Sequence, residues 1–541
     1  MAGTSKAKKK NTGGYPAALG VCFFLFMASF VLNSLGAAFF YSAFFLNLLL
    51  IFLFPFCVSV ECRRMMKDRV SLKSFNKAEN IYRYSWGLCL TWESAVAALV
   101  YISFLCLPIP FLPGTGRELI YFIFPPVFIL FSFSHILSSS DAAYLKKNMF
   151  YYHFGVLLML ALPVMIIMVS IFHRHASITA ELLDNVAAGD AYIAFVCTLS
   201  ICVFAFVLWI YMLFLHSGVR KKAVRRIAAD KARVNEAGMI LLSKASFSNM
   251  FALLPIGLII PSVFLIFYSG MDTLLGNQLK LYRLGLVLGI IVPFYSYPVV
   301  FALLLANKDS RQFYLAHLHH EIPELRTRVS DTLRNILIPS VFVSAFMLGC
   351  AETIASAMYG TSGFFSPMVI RLGALGVPFA ALLGGTTCIF LYMRKNNYVL
   401  ISGVVAFFIS LCVSFACRDG VGVKVYMPVV AVVLFFIVSS AVSLIFLNNY
   451  LSAGVPAVHV LKSVSAILVP LIIFVGMDML FVFTPVSPYI IIPAAFIIGG
   501  FVFFYMSCTM AVLNRQNIRE MPFSDFMTNM AKRMRILKNE E

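Results

Sequence analysis

Apolar residues run through this chain in long unbroken blocks, separated by short polar stretches. "AALGVCFFLFMASFVLNSLG" near the start and "YIIIPAAFIIGGFVFFYMSC" near the end are of this kind. A helix needs about 20 such residues to cross the hydrocarbon core of a bilayer. Only helices and closed barrels satisfy their own backbone there. The runs are continuous and lack the ten-residue alternation of barrel strands, so the pattern predicts an all-α bundle. Fourteen spans are expected, at 15–35, 39–60, 84–107, 118–137, 151–173, 191–216, 240–269, 283–306, 330–358, 367–393, 398–416, 428–448, 463–482 and 489–513.

Composition agrees with the pattern. The chain is 61% hydrophobic and 12% charged, against about half and a quarter in soluble domains. Too few polar residues remain to cover a water-facing surface, so the class is a polytopic integral membrane protein. Charge then orients it. With the N-terminus in the cytoplasm, 33 of the 42 Lys and Arg residues fall in segments on that side. Six (Arg117, Arg174, Lys280, Arg283, Arg418, Lys424) fall on the other, and Lys244, Arg334 and Arg371 lie within spans. The positive-inside rule predicts this asymmetry, with both termini cytoplasmic and the chain multi-pass in the plasma membrane. The net charge of +19 is therefore a topology signal; no soluble basic domain exists to bind nucleic acid. "MAGTSKAKKKNTGG" leads into a retained first span, since no small-residue cleavage site follows. The 12 cysteines are scattered, with no CxxC pair, and read as apolar filler rather than a disulfide or metal framework.

The chain repeats itself weakly. "KKNMFYYHFG" and "RKNNYVLISG" match at Lys147/Lys395, Asn148/Asn396 and Gly155/Gly403, an offset of 248 residues, and open the fifth and eleventh spans. Lys67–Asp68 and Lys308–Asp309 follow the second and eighth spans, an offset of 241. Both pairs give a shift of six helices. Six is even, so the repeat is parallel: two six-helix lobes with the same orientation and two extra C-terminal helices. The expected organisation is an N-terminal lobe at 1–216, a basic linker at 217–238, a C-terminal lobe at 239–448, spans 13 and 14 within 449–513, and a basic cytoplasmic tail at 514–541. In the linker, "VRKKAVRRIAADKARV" (219–234) has helical spacing and suggests a short amphipathic helix lying on anionic lipid; the C-terminal "MAKRMRILKNEE" is a second candidate. A parallel two-lobe repeat suits alternating access around a site between the lobes.

The stretch 297–343 ("YPVVFALLLANKDSRQFYLAHLHHEIPELRTRVSDTLRNILIPSVFV"), "MLGCAETIASAMYG" (347–360), "RLGALGVPFAALLGGTTCIFLYMRKNNYVLISGVVAFF" (371–408) and "LGAAFFYSAFFLNLLLIFLFPFCVSVECRRM" (35–65) carry a resemblance. They resemble the multidrug/oligosaccharidyl-lipid/polysaccharide exporter superfamily, and within it the polysaccharide-exporter and lipid II flippase branch that includes stage V sporulation protein B. The resemblance covers most of the chain and rests on helix length and Gly/Pro placement. It implies a V-shaped pair of lobes moving a lipid-linked sugar precursor across the plasma membrane, with the two extra helices associated with a groove for the polyprenyl tail. One departure stands out. Lipid II flippases carry several basic residues in the first two spans, whereas 15–35 and 39–60 hold no charge here, only polar residues such as Asn33, Ser34 and Asn47.

Ionisable groups inside a membrane are costly and mark candidate sites. Glu93, in "LTWESAV" of span three, is either a group that couples transport to a proton or cation or a neutral hydrogen-bonded core acid. Glu352 and Arg371 form either an ion pair or, through Arg371, a fork for a pyrophosphate. Lys244 and Arg334 either snorkel to the interface or receive a diphosphate headgroup. Ser248 shares a helix face with Lys244; with Asn249, Tyr297 and Asn33 it could meet sugar hydroxyls in a central cleft, unless such hydroxyls bond their own helix backbone. Asp478 reads as interfacial, and His317, His319 and His320 as surface residues rather than metal ligands. No catalytic residue, cofactor or metal is expected, and the outer loops are too short for a membrane-embedded glycosyltransferase. The reading is a flippase or exporter for a polyprenyl-diphosphate-linked oligosaccharide or cell-wall precursor, its partners being that lipid-linked sugar, membrane lipids and a coupling cation or membrane potential. The alternative is a cation-coupled multidrug exporter of the same superfamily.

Overall fold

The computed structural model describes residues 15–32, 34–106, 118–145, 150–182, 186–228, 236–270, 277–308, 313, 321–359, 365–417, 426–484, 486–510, 512–513, 518, 528–529 and 531. Among these the chain is an all-α polytopic membrane protein with no strand. Thirteen helices are long and apolar enough to cross a membrane, and the shorter apolar α1 precedes them.

The helices are α1 (Tyr15–Val31), α2 (Ser34–Asn47, a π-helical turn Leu48–Phe52, then Leu53–Ser71), α3 (Phe75–Cys106), α4 (Glu118–Leu145), α5 (Phe150–Leu182), α6 (Val186–Ala228) and α7 (Glu236–Gly270). Then follow α8 (Asn277–Lys308), α9 (Ile322–Gly349, resumed as Ala351–Tyr359), α10 (Phe365–Tyr392), α11 (Asn396–Ala416), α12 (Met427–Leu451), α13 (Ala457–Phe483) and α14 (Pro488–Thr509). Each expected span has its helix, but many helices outrun their apolar runs. α2 continues through the charged "ECRRMMKDRVS", and α6 runs unbroken into "VRKKAVRRIA". The expected separate interfacial helix is therefore, as far as Ala228, the end of α6; 229–235 lie outside the described residues. The reason is physical. Lys, Arg, Met and Ala are strong helix formers, and extending an existing helix costs no new nucleation. The C-terminal basic segment lies mostly outside the described residues.

Packing repeats with a period of six. α1 packs on α5, α2 on α3 and α4, α4 on α6, and α5 on α6; likewise α7 packs on α11, α8 on α9 and α10, α10 on α12, and α11 on α12. The two glycines of the sequence repeat sit at equivalent crossings. A Cβ on Gly20 of α1 would lie 2.9 Å from the carbonyl oxygen of Gly155 in α5, and a Cβ on Gly403 of α11 already meets Pro255 of α7 at 3.1 Å. Helices in lipid associate through such close packing rather than hydrophobic drive. Large buried rings fill the remaining space, as where Phe40, Phe44, Phe124 and Phe128 of α2 and α4 interlock.

The two sets of six meet where α1 and α2 pack against α8, and α2 against α7. The π-turn of α2 takes part, with Leu49 against Gly257 of α7, where a Cβ would come within 2.6 Å of its Cδ1. α13 and α14 pack on each other and on α9. Phe474 of α13 fills the space beside Gly349, where a Cβ would approach to 2.3 Å, and beside Gly499 of α14. Their remaining faces are apolar and exposed, as at Leu461, Ile472, Phe483, Ile490 and Ile497.

Candidate functional site

The basic ends of the helices carry the polar contacts between the two sets. The turn from α10 to α11 places Arg394 in the left-handed region, at φ 56°. Arg394 N–H donates to Leu391 O (3.2 Å) and Lys395 N–H to Phe390 O (2.9 Å), the paired bonds of a Schellman helix end. Lys395 Nζ lies 4.8 Å from the centre of the Tyr450 ring, a cation–π contact. Asn396, the first residue of α11, is thereby aimed at α7. Its Nδ2 donates to Asn249 Oδ1 (2.8 Å) and to Ser248 Oγ (2.8 Å). Asn249 Nδ2 in turn donates to Glu61 Oε1 of α2 (3.1 Å). Arg64 Nη1 stands 3.5 Å from the same oxygen. Beside this chain the Tyr84 hydroxyl of α3 is 3.0 Å from Ser243 Oγ of α7, and the rings of Phe54 and Phe247 stand 4.5 Å apart. Glu61 and Asn249 are buried, so each hydrogen bond across α2, α7 and α11 stands in place of lost water contacts. Towards the opposite end the junction is aromatic instead: Phe26 meets Phe294 edge-on at 4.7 Å, and beside it Phe30 of α1 meets Tyr489 of α14 at 6.4 Å.

The sequence-derived candidates divide between these ends. Ser248 and Asn249 belong to the polar chain. Lys244 is exposed one turn earlier on α7. Tyr297 of α8 is half-buried and stacks on Phe301 at 6.1 Å. Arg371 is away from them and donates to Glu352 Oε1 at 3.2 Å, so the ion pair is what the structure contains. Asn33 and the three histidines lie outside the described residues. The serines mostly bond backward, as Ser132 Oγ does to Phe128 O (2.8 Å) and Ser296 Oγ to Pro293 O (2.6 Å). Glu93 is the exception among the acids. It is buried about half-way along α3, and both carboxyl oxygens lack a hydrogen-bond partner among the described residues. Ser132 faces it from half-way along α4 but is already committed to its own helix.

Asp478 lies near the end of its helix, where the sequence places it, and faces neighbouring helices. It is buried in α13 and accepts from Thr353 N–H (2.8 Å), Thr353 Oγ1 (2.7 Å) and Glu352 N–H (3.3 Å). It thus caps, from another helix, the free N–H groups where α9 resumes at Ala351. A second set of polar groups escaped the sequence reading altogether. His135 of α4 contacts Ser59 of α2, which is 2.8 Å from Ser139. His216 Nδ1 of α6 lies 2.8 Å from Asp141 Oδ1, and its Nε2 3.2 Å from the Tyr82 hydroxyl. Glu79 Oε1 accepts from Arg83 (3.1 Å) and Arg220 (3.2 Å). Glu61, Glu79 and Asp141 fall where hydropathy had already ended the spans. Among the described residues no cluster of ligand side chains could hold a metal ion, and the eleven cysteines whose side chains are described are free.

No protein-family model matches the sequence, and no curated protein matches it. Solved structures do match in fold. The chain superposes on the eukaryotic MATE transporter AtDTX14 with a TM-score of 0.57 at 12% identity, over 81% of this chain and 94% of that one. An inward-facing multidrug resistance MATE family transporter of the MOP superfamily gives 0.54 at 13% identity, again over 81% and 94%. The lipid II flippase MurJ, in an inward closed conformation, gives 0.48 at 11% identity, over 91% and 97%. The chain thus shares its fold with these MATE structures.

Proposed function

We propose that this chain is an alternating-access flippase or exporter that moves a polyprenyl-diphosphate-linked oligosaccharide or cell-wall precursor across the plasma membrane, with both termini in the cytoplasm. The observation that carries the transport reading is the six-helix packing repeat meeting along α1, α2, α7 and α8, in a fold shared with MATE transporters. Two such lobes can rock about their junction and expose a site between them to either face. The hydrogen-bonded chain Glu61–Asn249–Asn396 then acts as the inner closure, and parting it admits substrate. Lys244, Ser248 and Asn249 would meet the diphosphate and first sugar there, with Tyr297 deeper on α8. The lipid-linked substrate is supported by α13 and α14, which lie outside the repeat and present apolar faces alongside which a polyprenyl tail could lie.

The proteoliposome test has two arms. The reading expects a fluorescent polyprenyl-diphosphate sugar to reach the opposite leaflet faster with the protein than in empty vesicles. No translocation of any such lipid, beside intact drug efflux, overturns it in favour of a cation-coupled multidrug exporter. One observation favours that second reading: Glu93 is a buried acid half-way along a membrane-spanning helix, without a hydrogen-bond partner among the described residues, and an ionisable group at that depth is a candidate coupling site for a proton or cation.

A further inference from the structure

A cavity of about 350 Å³ opens at the basic end of the first six helices, lined by residues of α3, α4 and α6. Tyr82 and His216 are buried and line it, as do the half-buried ring of Trp86 and the exposed Leu213. Arg83 and Arg220 also line it, on the more exposed side. Glu79 holds the two guanidinium groups together, its Oε1 accepting one N–H from each. A guanidinium carries five N–H donors, so most remain for a ligand. The three charges sum to one positive, and Lys221 follows on the same helix end. The outer flanks are different. Leu90, one turn beyond Trp86, and Phe214, beside Leu213, are among the exposed apolar side chains. A ligand seated here would have its charged group between the arginines and apolar chains beside Leu90 and Phe214. The cavity suits a phosphodiester with a short polar headgroup; acyl chains would remain outside in the bilayer.

We propose that this cavity binds the headgroup of an anionic phospholipid from the leaflet at the basic end, with Arg83 and Arg220 on the phosphodiester and Trp86 as the interfacial wall. Arg is suited to phosphate through its planar fork, Trp to the headgroup level, and basic pockets between membrane helices on the cytoplasmic side to anionic lipid. The proposal also reassigns the basic run that begins at Arg220: as the end of α6, it brings an arginine to the pocket instead of forming a separate helix.

The test is native mass spectrometry of the full chain titrated with dioleoylphosphatidylglycerol and dioleoylphosphatidylcholine. The wild type is expected to retain the anionic dioleoylphosphatidylglycerol preferentially, and the Arg83→Gln/Arg220→Gln double variant to lose roughly fivefold of that preference per arginine. Leu213→Trp, which fills the cavity and leaves every charge in place, is expected to lose the preference too. Arg328→Gln, at the start of α9, is expected to keep it. Equal loss in Arg328→Gln, or full preference in Leu213→Trp, would reduce the effect to general surface charge and overturn the site. Displacement of the lipid by millimolar inorganic phosphate would identify a soluble phosphate as the ligand and overturn it likewise. The readout needs no transport, so its outcome is separable from that of the translocation assay.

Discussion

Glu93 and Asp478 are both buried acids in a lipid-spanning bundle, and their surroundings give them opposite roles. Asp478 receives three donors from the start of Ala351–Tyr359. Removing an acceptor that satisfies buried donors costs ~1–3 kcal/mol. Asp478→Ala is therefore expected to lower the detergent melting temperature while leaving transport per folded molecule little changed. Glu93 has no such partners among the described residues, so Glu93→Gln is expected to leave the melting temperature unchanged or raise it. Transport by that variant should fall at least about tenfold, or ~1.4 kcal/mol in barrier, or lose its dependence on the cation gradient. A strong loss of thermal stability in Glu93→Gln, with normal coupling, would make it a core residue. Both acids are legible in the sequence as charges within apolar runs. Their roles are not, because partners come from other helices: Thr353 reaches Asp478 from a segment 125 residues away.

At the scale of the helix, apolar run length found every span and misjudged many ends. Hydropathy falls where charge begins, but the helix continues as long as its residues favour it and its charges find partners. Glu61, Glu79, Asp141 and Arg220 all lie in such extensions, and all are paired. This is why the polar chain on α2, α7 and α11 was half visible: Ser248 and Asn249 sit within an apolar run, Glu61 just beyond one. The repeat glycines were legible as identities, and their meaning emerges only in the packing. Gly20→Leu should wedge α1 from α5 and cost ~1–3 kcal/mol, as overpacking does; the measurement is the melting temperature against the wild type. At the α10–α11 turn the opposite sign is expected. Arg394 holds a positive φ that costs a side-chain-bearing residue ~1–2 kcal/mol. Arg394→Gly should therefore stabilise the protein by ~0.5–1 kcal/mol after the added unfolded-chain entropy.

For the whole molecule, the proposed alternating access makes one mechanical demand on the packing repeat and the polar chain at its basic end: α3 and α7 must separate there for substrate to pass. Tyr84 and Ser243 face each other across that junction at 3.0 Å. The most direct measurement is lipid-linked sugar translocation in proteoliposomes by a Tyr84→Cys/Ser243→Cys variant, with the native cysteines replaced by alanine and the pair joined by a short cleavable thiol reagent. Translocation is expected to stop on cross-linking and to return when the link is reduced. Undiminished translocation by the fully cross-linked protein would contradict it, because the inner junction would then never need to part.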